Sequence, residues 1–250
     1  MGSNQGFQNE SLIAEALNGK TYDQINQNLQ SLIKNLFGYP EEGAIIESAQ
    51  IEGVFKPDIY IKYKGQTKNI SVKVGRANKV HGENVKDFIL FLRSLGISEQ
   101  TQKIMLLFHY GDGTLDGSGK RRLDSLAIRI KMDKLLKIAN RELNSSREVI
   151  DKVMERVLFQ GIADNGPNAE YIYFGSPEYG QIVSKRQIYT YIDNRSWQFA
   201  TKLHIGPIFI RPHARYADKK IFNPLSRERV HCYWPNLADD LDRISKRFSF

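Results

Sequence analysis

Asp58 and Lys73 are the pair in this sequence best suited to chemistry on a phosphate. Asp58 lies in Lys56-Pro57-Asp58-Ile59-Tyr60-Ile61-Lys62-Tyr63, and Lys73 in Asn69-Ile70-Ser71-Val72-Lys73-Val74-Gly75. Both runs alternate apolar and polar residues, and Lys64-Gly65-Gln66-Thr67 between them reads as a turn, so the spacing predicts a β-hairpin. The two-residue period of a strand puts Ser71 and Lys73 on one face, and the hairpin brings Asp58 to the same edge. A carboxylate placed there can hold a divalent metal against a scissile phosphate. An ammonium beside it orients attacking water and stabilises developing negative charge. The chemistry this pair suits is metal-dependent hydrolysis of a phosphodiester.

Several elements must position that hairpin. Asn9 reads as the cap of a first helix with Leu12, Ile13, Ala16 and Leu17 on one face, and a second helix is predicted from Tyr22 to Leu36. Ala44-Ile45-Ile46 opens a strand ahead of the hairpin. Glu83 to Leu95 returns to helical spacing through Val85, Phe88, Ile89 and Leu92, and the apolar run Lys103 to Phe108 reads as a buried central strand. The predicted order over roughly the first 110 residues is α-β-β-β-α-β. Beyond a glycine-rich loop, helices are expected at Leu123 to Arg141 and Ser146 to Phe159. A strand at Tyr171 to Phe174, a helix at Ser184 to Tyr191, extended chain at Leu203 to Arg211, a strand at Val230 to Trp234 and a closing helix capped by Asn236 complete the pattern.

At these residues the chain resembles the PD-(D/E)xK nuclease superfamily, the fold of most type II restriction endonucleases. Pro57-Asp58 matches the first half of the motif. Ser71-Val72-Lys73 matches the second, with serine in place of the usual acid. Restriction enzymes of the Ser-x-Lys form take the missing carboxylate from the following helix, and Glu83, ten positions beyond Lys73, is the residue that fits. Glu83 would then lie in the turn leading into that helix, which Gly82 permits. The superfamily draws a further acid from the first helix, where Glu10 is better placed than Glu15; Glu47 and Glu52 are substitutes.

The resemblance implies an α/β protein with a restriction-endonuclease-like core, a central mixed sheet flanked by helices, over residues 1–120. An α+β extension over 121–250 would carry much of the target recognition. It implies Mg2+-dependent cleavage of double-stranded DNA that leaves 5′-phosphate ends. Asp58 and Glu83 would bind the metal, Lys73 would position the nucleophilic water, Ser71 would support the site and Glu10 would act through a water or the outer shell. A restriction enzyme reading a two-fold symmetric target would be a homodimer and could have a cognate methyltransferase. A repair, junction-resolving or phage-defence nuclease would share the site, and a catalytically inactive DNA-binding protein would keep only the fold.

Charge and composition agree with an anionic partner. The chain has 250 residues, with 36 Lys and Arg against 28 Asp and Glu, a formal net charge of +8. The residues expected on DNA are Arg76, Asn78, Lys79 and His81 after the catalytic strand, then Lys120, Arg121, Arg211 and Arg215. An RNA-binding module would explain the charge but not the Asp58/Ser71/Lys73 hairpin. One cysteine, Cys232, excludes an internal disulfide and a multi-Cys metal site. It also excludes the zinc deaminases that His81-Gly82-Glu83 would otherwise suggest. Gly117-Ser118-Gly119-Lys120 is not a P-loop, because Thr114 stands where the first glycine belongs and Arg121 where Ser or Thr belongs. No signal peptide and no membrane-length apolar run is found, so a cytoplasmic protein is expected.

Overall fold

In the computed structural model of the chain, residues 2–248 are described except 54, 76–77, 120–121, 164, 198, 200–201 and 214–223. The fold is α/β. The chain divides into two units, Met1–Asn78 with Glu155–Asn194 and Asn236–Phe250, and Lys79–Met154 with Arg195–Pro235. The division is therefore discontinuous and does not fall at a single boundary near residue 120.

The first unit is built on a six-stranded sheet flanked by helices. Its strands are β1 (Lys20–Thr21), β2 (Ile45–Gln50), β3 (Ile59–Tyr63), β4 (Gln66–Lys73), β6 (Tyr171–Gly175) and β7 (Gly180–Ser184), in the order β1-β2-β3-β4-β6-β7. Every pairing is antiparallel except β4 with β6, where Ile70 faces Tyr171 and Lys73 faces Phe174. Parallel neighbours need a crossover. Here it runs through residues 74–170 and contains most of the second unit, which is why no contiguous boundary separates the two. The strand beside β4 is thus β6, and Lys103 to Phe108 supplies no strand to this sheet.

Two helices lie on one face of this sheet, α1 (Gly2–Leu17) across β2, β3 and β4, and α2 (Gln27–Phe37) beside it. Ile13, Ala14 and Leu17 of α1 and Leu29, Leu32, Ile33 and Leu36 of α2 close over Ile46, Ile59, Ile61, Ile70, Val72 and Tyr173 in one core. The second helix starts later than its apolar spacing predicts, because Asn26 caps it by accepting from the Leu29 N–H. At the other end of the sheet α7 (Lys185–Asp193) and α9 (Leu237–Phe248) pack on β7 and on each other.

Asn9 does not cap α1 but sits inside it. Its side-chain amide donates to the Gly175 carbonyl at the end of β6, 2.9 Å away. Gly175 has φ +149°, and a Cβ there would lie 2.2 Å from the Tyr179 carbonyl oxygen, so the tight β6–β7 connection requires glycine.

The second unit carries a four-stranded antiparallel sheet in the order β5 (Lys79–Asn84), β10 (Arg229–Tyr233), β9 (Ile208–Pro212), β8 (His204–Ile205). Packed with it are α3 (Val85–Ser94), α4 (Glu99–Tyr110) and α5 (Ser125–Leu143); α6 (Arg147–Met154) and the short α8 (Pro224–Arg227) complete the unit. Lys103 to Phe108, expected as a strand, forms part of α4, which Ser98 caps by accepting from the Thr101 N–H. Its buried residues are Thr101, Gln102, Ile104, Met105, Phe108, His109 and Tyr110, a helical spacing that a short apolar run conceals. Among the described residues no helix is long and apolar enough to cross a membrane.

Candidate active site

The hairpin forms as its alternation predicts. Ile59 pairs with Ile70 and Tyr60 with Asn69, so Asp58, one residue before β3, stands across from Ser71 on the face opposite Ile59 and Ile70. The Asp58 N–H donates to the Ile70 carbonyl, which extends the ladder by one residue and holds the aspartate in place.

Asp58, Ser71 and Lys73 form one hydrogen-bonded cluster. Asp58 Oδ2 accepts from Ser71 Oγ at 3.0 Å, from the Val72 N–H at 2.6 Å and from Lys73 Nζ at 3.2 Å. Lys73 Nζ also donates to Ser71 Oγ and to the Val72 carbonyl, each at 2.7 Å. Ser71 is fully buried, and the side chains of Lys73 and Asp58 are 18% and 23% exposed, open enough to be reached from solvent. All three bonds to Asp58 fall on Oδ2; Oδ1 accepts none among the described residues.

Glu10 of α1 feels the charges of this cluster. The bond from Asn9 to Gly175 holds the middle of α1 at the end of β6, and β4, parallel to β6, ends there in Lys73. The Glu10 carboxyl is pushed above the ordinary carboxylate range, first by burial and then by the Asp58 charge. The Lys73 ammonium and the Gln50 side-chain amide act in the opposite direction. Gln50, at the end of β2, also donates to the Phe7 carbonyl of α1 at 3.0 Å and so braces the helix against the sheet. Neither Gln50 nor the clamping role of Asn9 was legible in the sequence, since both depend on long-range contacts with no local pattern.

Two carboxylates converge here with one lysine. That donor set fits a divalent cation: Glu10 is disfavoured as an anion by its surroundings, and Asp58 keeps one oxygen without a hydrogen bond. Among the described residues no group of three or more His, Cys, Asp or Glu could hold a metal; Asp58 and Glu10 could supply two carboxylates, with the Val72 carbonyl and Ser71 hydroxyl as neutral oxygens beside Asp58.

The remaining candidates are distributed differently. Glu83 does not lie in a turn before α3. It is in β5, opposite Val230 of β10, because Lys79 to Asn84 pairs along its length with that late strand. Its buried carboxylate meets His81 Nε2 at 3.0 Å, so His81 faces Glu83 with a side chain only 8% exposed. Both residues belong to the second unit. Glu47 pairs with Lys62 at 3.0 Å on exposed strand surface, and Glu52 is exposed. Asn78 precedes β5, Lys79 opens it, and Arg211 lies in β9 with its guanidinium 3.8 Å from the centre of the Tyr233 ring. Arg76, Lys120, Arg121 and Arg215 lie outside the described residues. Arg122, in the same basic run as Lys120, turns inward and donates to the carbonyls of Phe108, His109 and Leu123, closing the C-terminal end of α4. Searched against protein-family models and against curated proteins, the chain matches none.

Proposed function

We propose that this protein is a metal-dependent endodeoxyribonuclease whose first unit is a restriction-endonuclease-like core. The observation that carries the reading is the cluster in which Asp58, Ser71 and Lys73 share hydrogen bonds while Glu10 approaches from α1. The meander β2-β3-β4, the helix crossing it and the parallel β6 beside β4 support the same core.

On this reading Asp58 and Glu10 would hold Mg2+, with Glu10 taking the part that the resemblance gave to Glu83. The ion, when bound, neutralises charge on the scissile phosphate and favours attack at phosphorus. Lys73, whose three N–H groups are held by Asp58, Ser71 and the Val72 carbonyl, acts by its positive charge, which favours the attacking water and the phosphate oxygens as negative charge builds. Ser71 holds the lysine and the aspartate in register. Water adds to phosphorus and the 3′ oxygen leaves, giving 5′-phosphate and 3′-hydroxyl ends. The excess of positive charge across the chain favours a polyanionic substrate, double-stranded DNA.

Incubation of supercoiled plasmid with the protein and Mg2+, alongside Asp58→Ala and Lys73→Ala, tests this. Wild type should nick or linearise DNA, and each variant should lose about 10^2-fold or more in rate while still binding DNA. Discrete fragments would identify a site-specific enzyme. DNA binding without cleavage by the wild type would overturn the proposal.

A further inference from the structure

One face of the second unit's sheet gathers cations around a glycine. Along β10, Val230 and Cys232 are buried, whereas Arg229 is exposed and Tyr233 partly so. His231 shares the Arg229 and Tyr233 side, opposite Gly82 on β5 and Arg211 on β9. A Cβ at position 82 would lie 2.9 Å from His231 Cδ2 and 3.2 Å from Lys79 Cε, so the missing side chain lets the imidazole and the lysine stem meet over the strand. Arg229 Nη2 donates to the Gly82 carbonyl at 3.3 Å. The His213 and His231 rings lie with centroids 4.3 Å apart, and His231 Nδ1 is 3.3 Å from both His213 Nδ1 and Tyr233 Oη.

We propose that Lys79, Arg229, His231 and His213 form a binding site for a phosphate oxyanion on the Arg229, His231 and Tyr233 face of this sheet, entered from the side of the exposed Lys79 and Arg229. Lys79 supplies a mobile point charge and Arg229 a planar fork that matches two oxygens. The Tyr233 hydroxyl donates to His231 Nδ1, an assignment from the hydrogen-bond pattern that leaves the ring N–H on Nε2. Nε2 has no hydrogen-bond partner among the described residues although His231 is only 5% exposed, and it lies toward Gly82 and Lys79.

The electrostatics of the cluster call for an anion. The charged groups bearing on His231 are Lys79 from β5, His213 and Arg211 from β9 and the residue after it, and Arg229 from β10; all are cationic when charged. Burial first, and then these neighbours, push the His231 imidazole down to about 3. Burial and Arg229 push Lys79 down as well. Like charges held together in partly dry surroundings are a standing cost, which a bound dianion relieves.

The residues belong to the second unit and the readout is not cleavage, so the proposal stands or falls apart from the reading of Asp58. The phosphate could come from a free monoester or from a nucleic-acid backbone. Histidine ring resonances of the full chain, followed through a pH titration without divalent metal, distinguish these. One arm adds inorganic phosphate, a second adds an oligonucleotide lacking terminal phosphate, and a third adds chloride at matched ionic strength. Binding at either phosphate probe should raise the His231 and His213 midpoints, and the exposed substitutions Lys79→Ala and Arg229→Ala should each weaken it about tenfold. Response to inorganic phosphate alone identifies a monoester site, and response to the oligonucleotide identifies a backbone contact. No movement with either probe, an equal response to chloride, or unchanged affinity in both variants would overturn it.

Discussion

Ser71 donates its hydroxyl hydrogen to Asp58 Oδ2 across 3.0 Å while accepting one from Lys73, so this serine ties the two charged residues together. Ser71→Ala removes both bonds at a fully buried position. It should cost about 1 kcal/mol of stability and reduce cleavage about tenfold by loosening Lys73. Ser71→Asp adds a carboxylate beside Asp58; it should lower the metal-free thermal midpoint and enlarge the upward shift produced by Mg2+. Thermal melts with and without Mg2+ read both effects, and a Ser71→Asp protein indifferent to Mg2+ would contradict the metal assignment.

Glu10 gives a pH dependence whose sign follows from its raised pKa. The folded protein holds this proton more tightly than the unfolded chain. The stabilisation is complete below the ordinary value of 4.5 and is lost as pH rises through the higher folded value. At neutral pH the ionised carboxylate therefore weighs against folding until a cation binds. Glu10→Gln should melt higher than wild type at neutral pH without metal, melt alike near pH 4.5, gain less from Mg2+ and lose about 10^2-fold in cleavage. Equal Mg2+ stabilisation in variant and wild type would exclude Glu10 as a ligand.

Glu83 offers the matching control. Its buried carboxylate is held by His81 inside the second unit's sheet. Glu83→Ala, which removes the carboxylate that meets His81 Nε2, should cost about 1–3 kcal/mol, and Glu83→Gln less because a hydrogen-bonding group remains. Both should leave the cleavage rate per folded molecule within about a factor of two. Urea midpoints and rates normalised to folded protein separate the outcomes; a rate loss in Glu83→Gln comparable to that in Asp58→Ala would return Glu83 to the active site.

His109 contributes to acid stability in the second unit, alongside His204 and His231, whose pKa values burial also lowers. Its ring lies against the Arg227 carbonyl at 2.8 Å, and burial, the largest influence, holds its pKa down to about 4 from an ordinary 6.5. The unfolded chain takes up this proton first, so stability is full above pH 6.5 and falls as pH drops toward about 4. At about 1.4 kcal/mol per pKa unit, His109 accounts for roughly 3 kcal/mol of that decline. His109→Gln should flatten the curve, as measured by urea midpoints across this range, and an unchanged slope would show that another group governs it.

Local pattern determined the hairpin and the stripe of α3. The two-residue alternation around Asp58, Ser71 and Lys73 admits one register that buries Ile59, Ile70 and Val72, and that register puts the three polar groups together. Val85, Phe88, Ile89 and Leu92 recur at a spacing only a helix puts on one face. Where local pattern is ambiguous, distant contacts decided. Lys103 to Phe108 is apolar enough for a strand, but Thr101 and Ile104 turn the segment into a buried helix face. Glu83 precedes a helix in sequence, yet β10, some 150 residues later, draws it into a sheet. The partner strand of β4 comes from residue 171 onward, and Glu10, the acid whose pKa Asp58 and Lys73 influence, comes from α1, which Asn9 pins to the end of that strand. Hydrophobic period is a property of neighbouring residues and is written in the sequence. Which carboxylate meets which lysine depends on how separate segments pack, and only the tertiary structure supplies that.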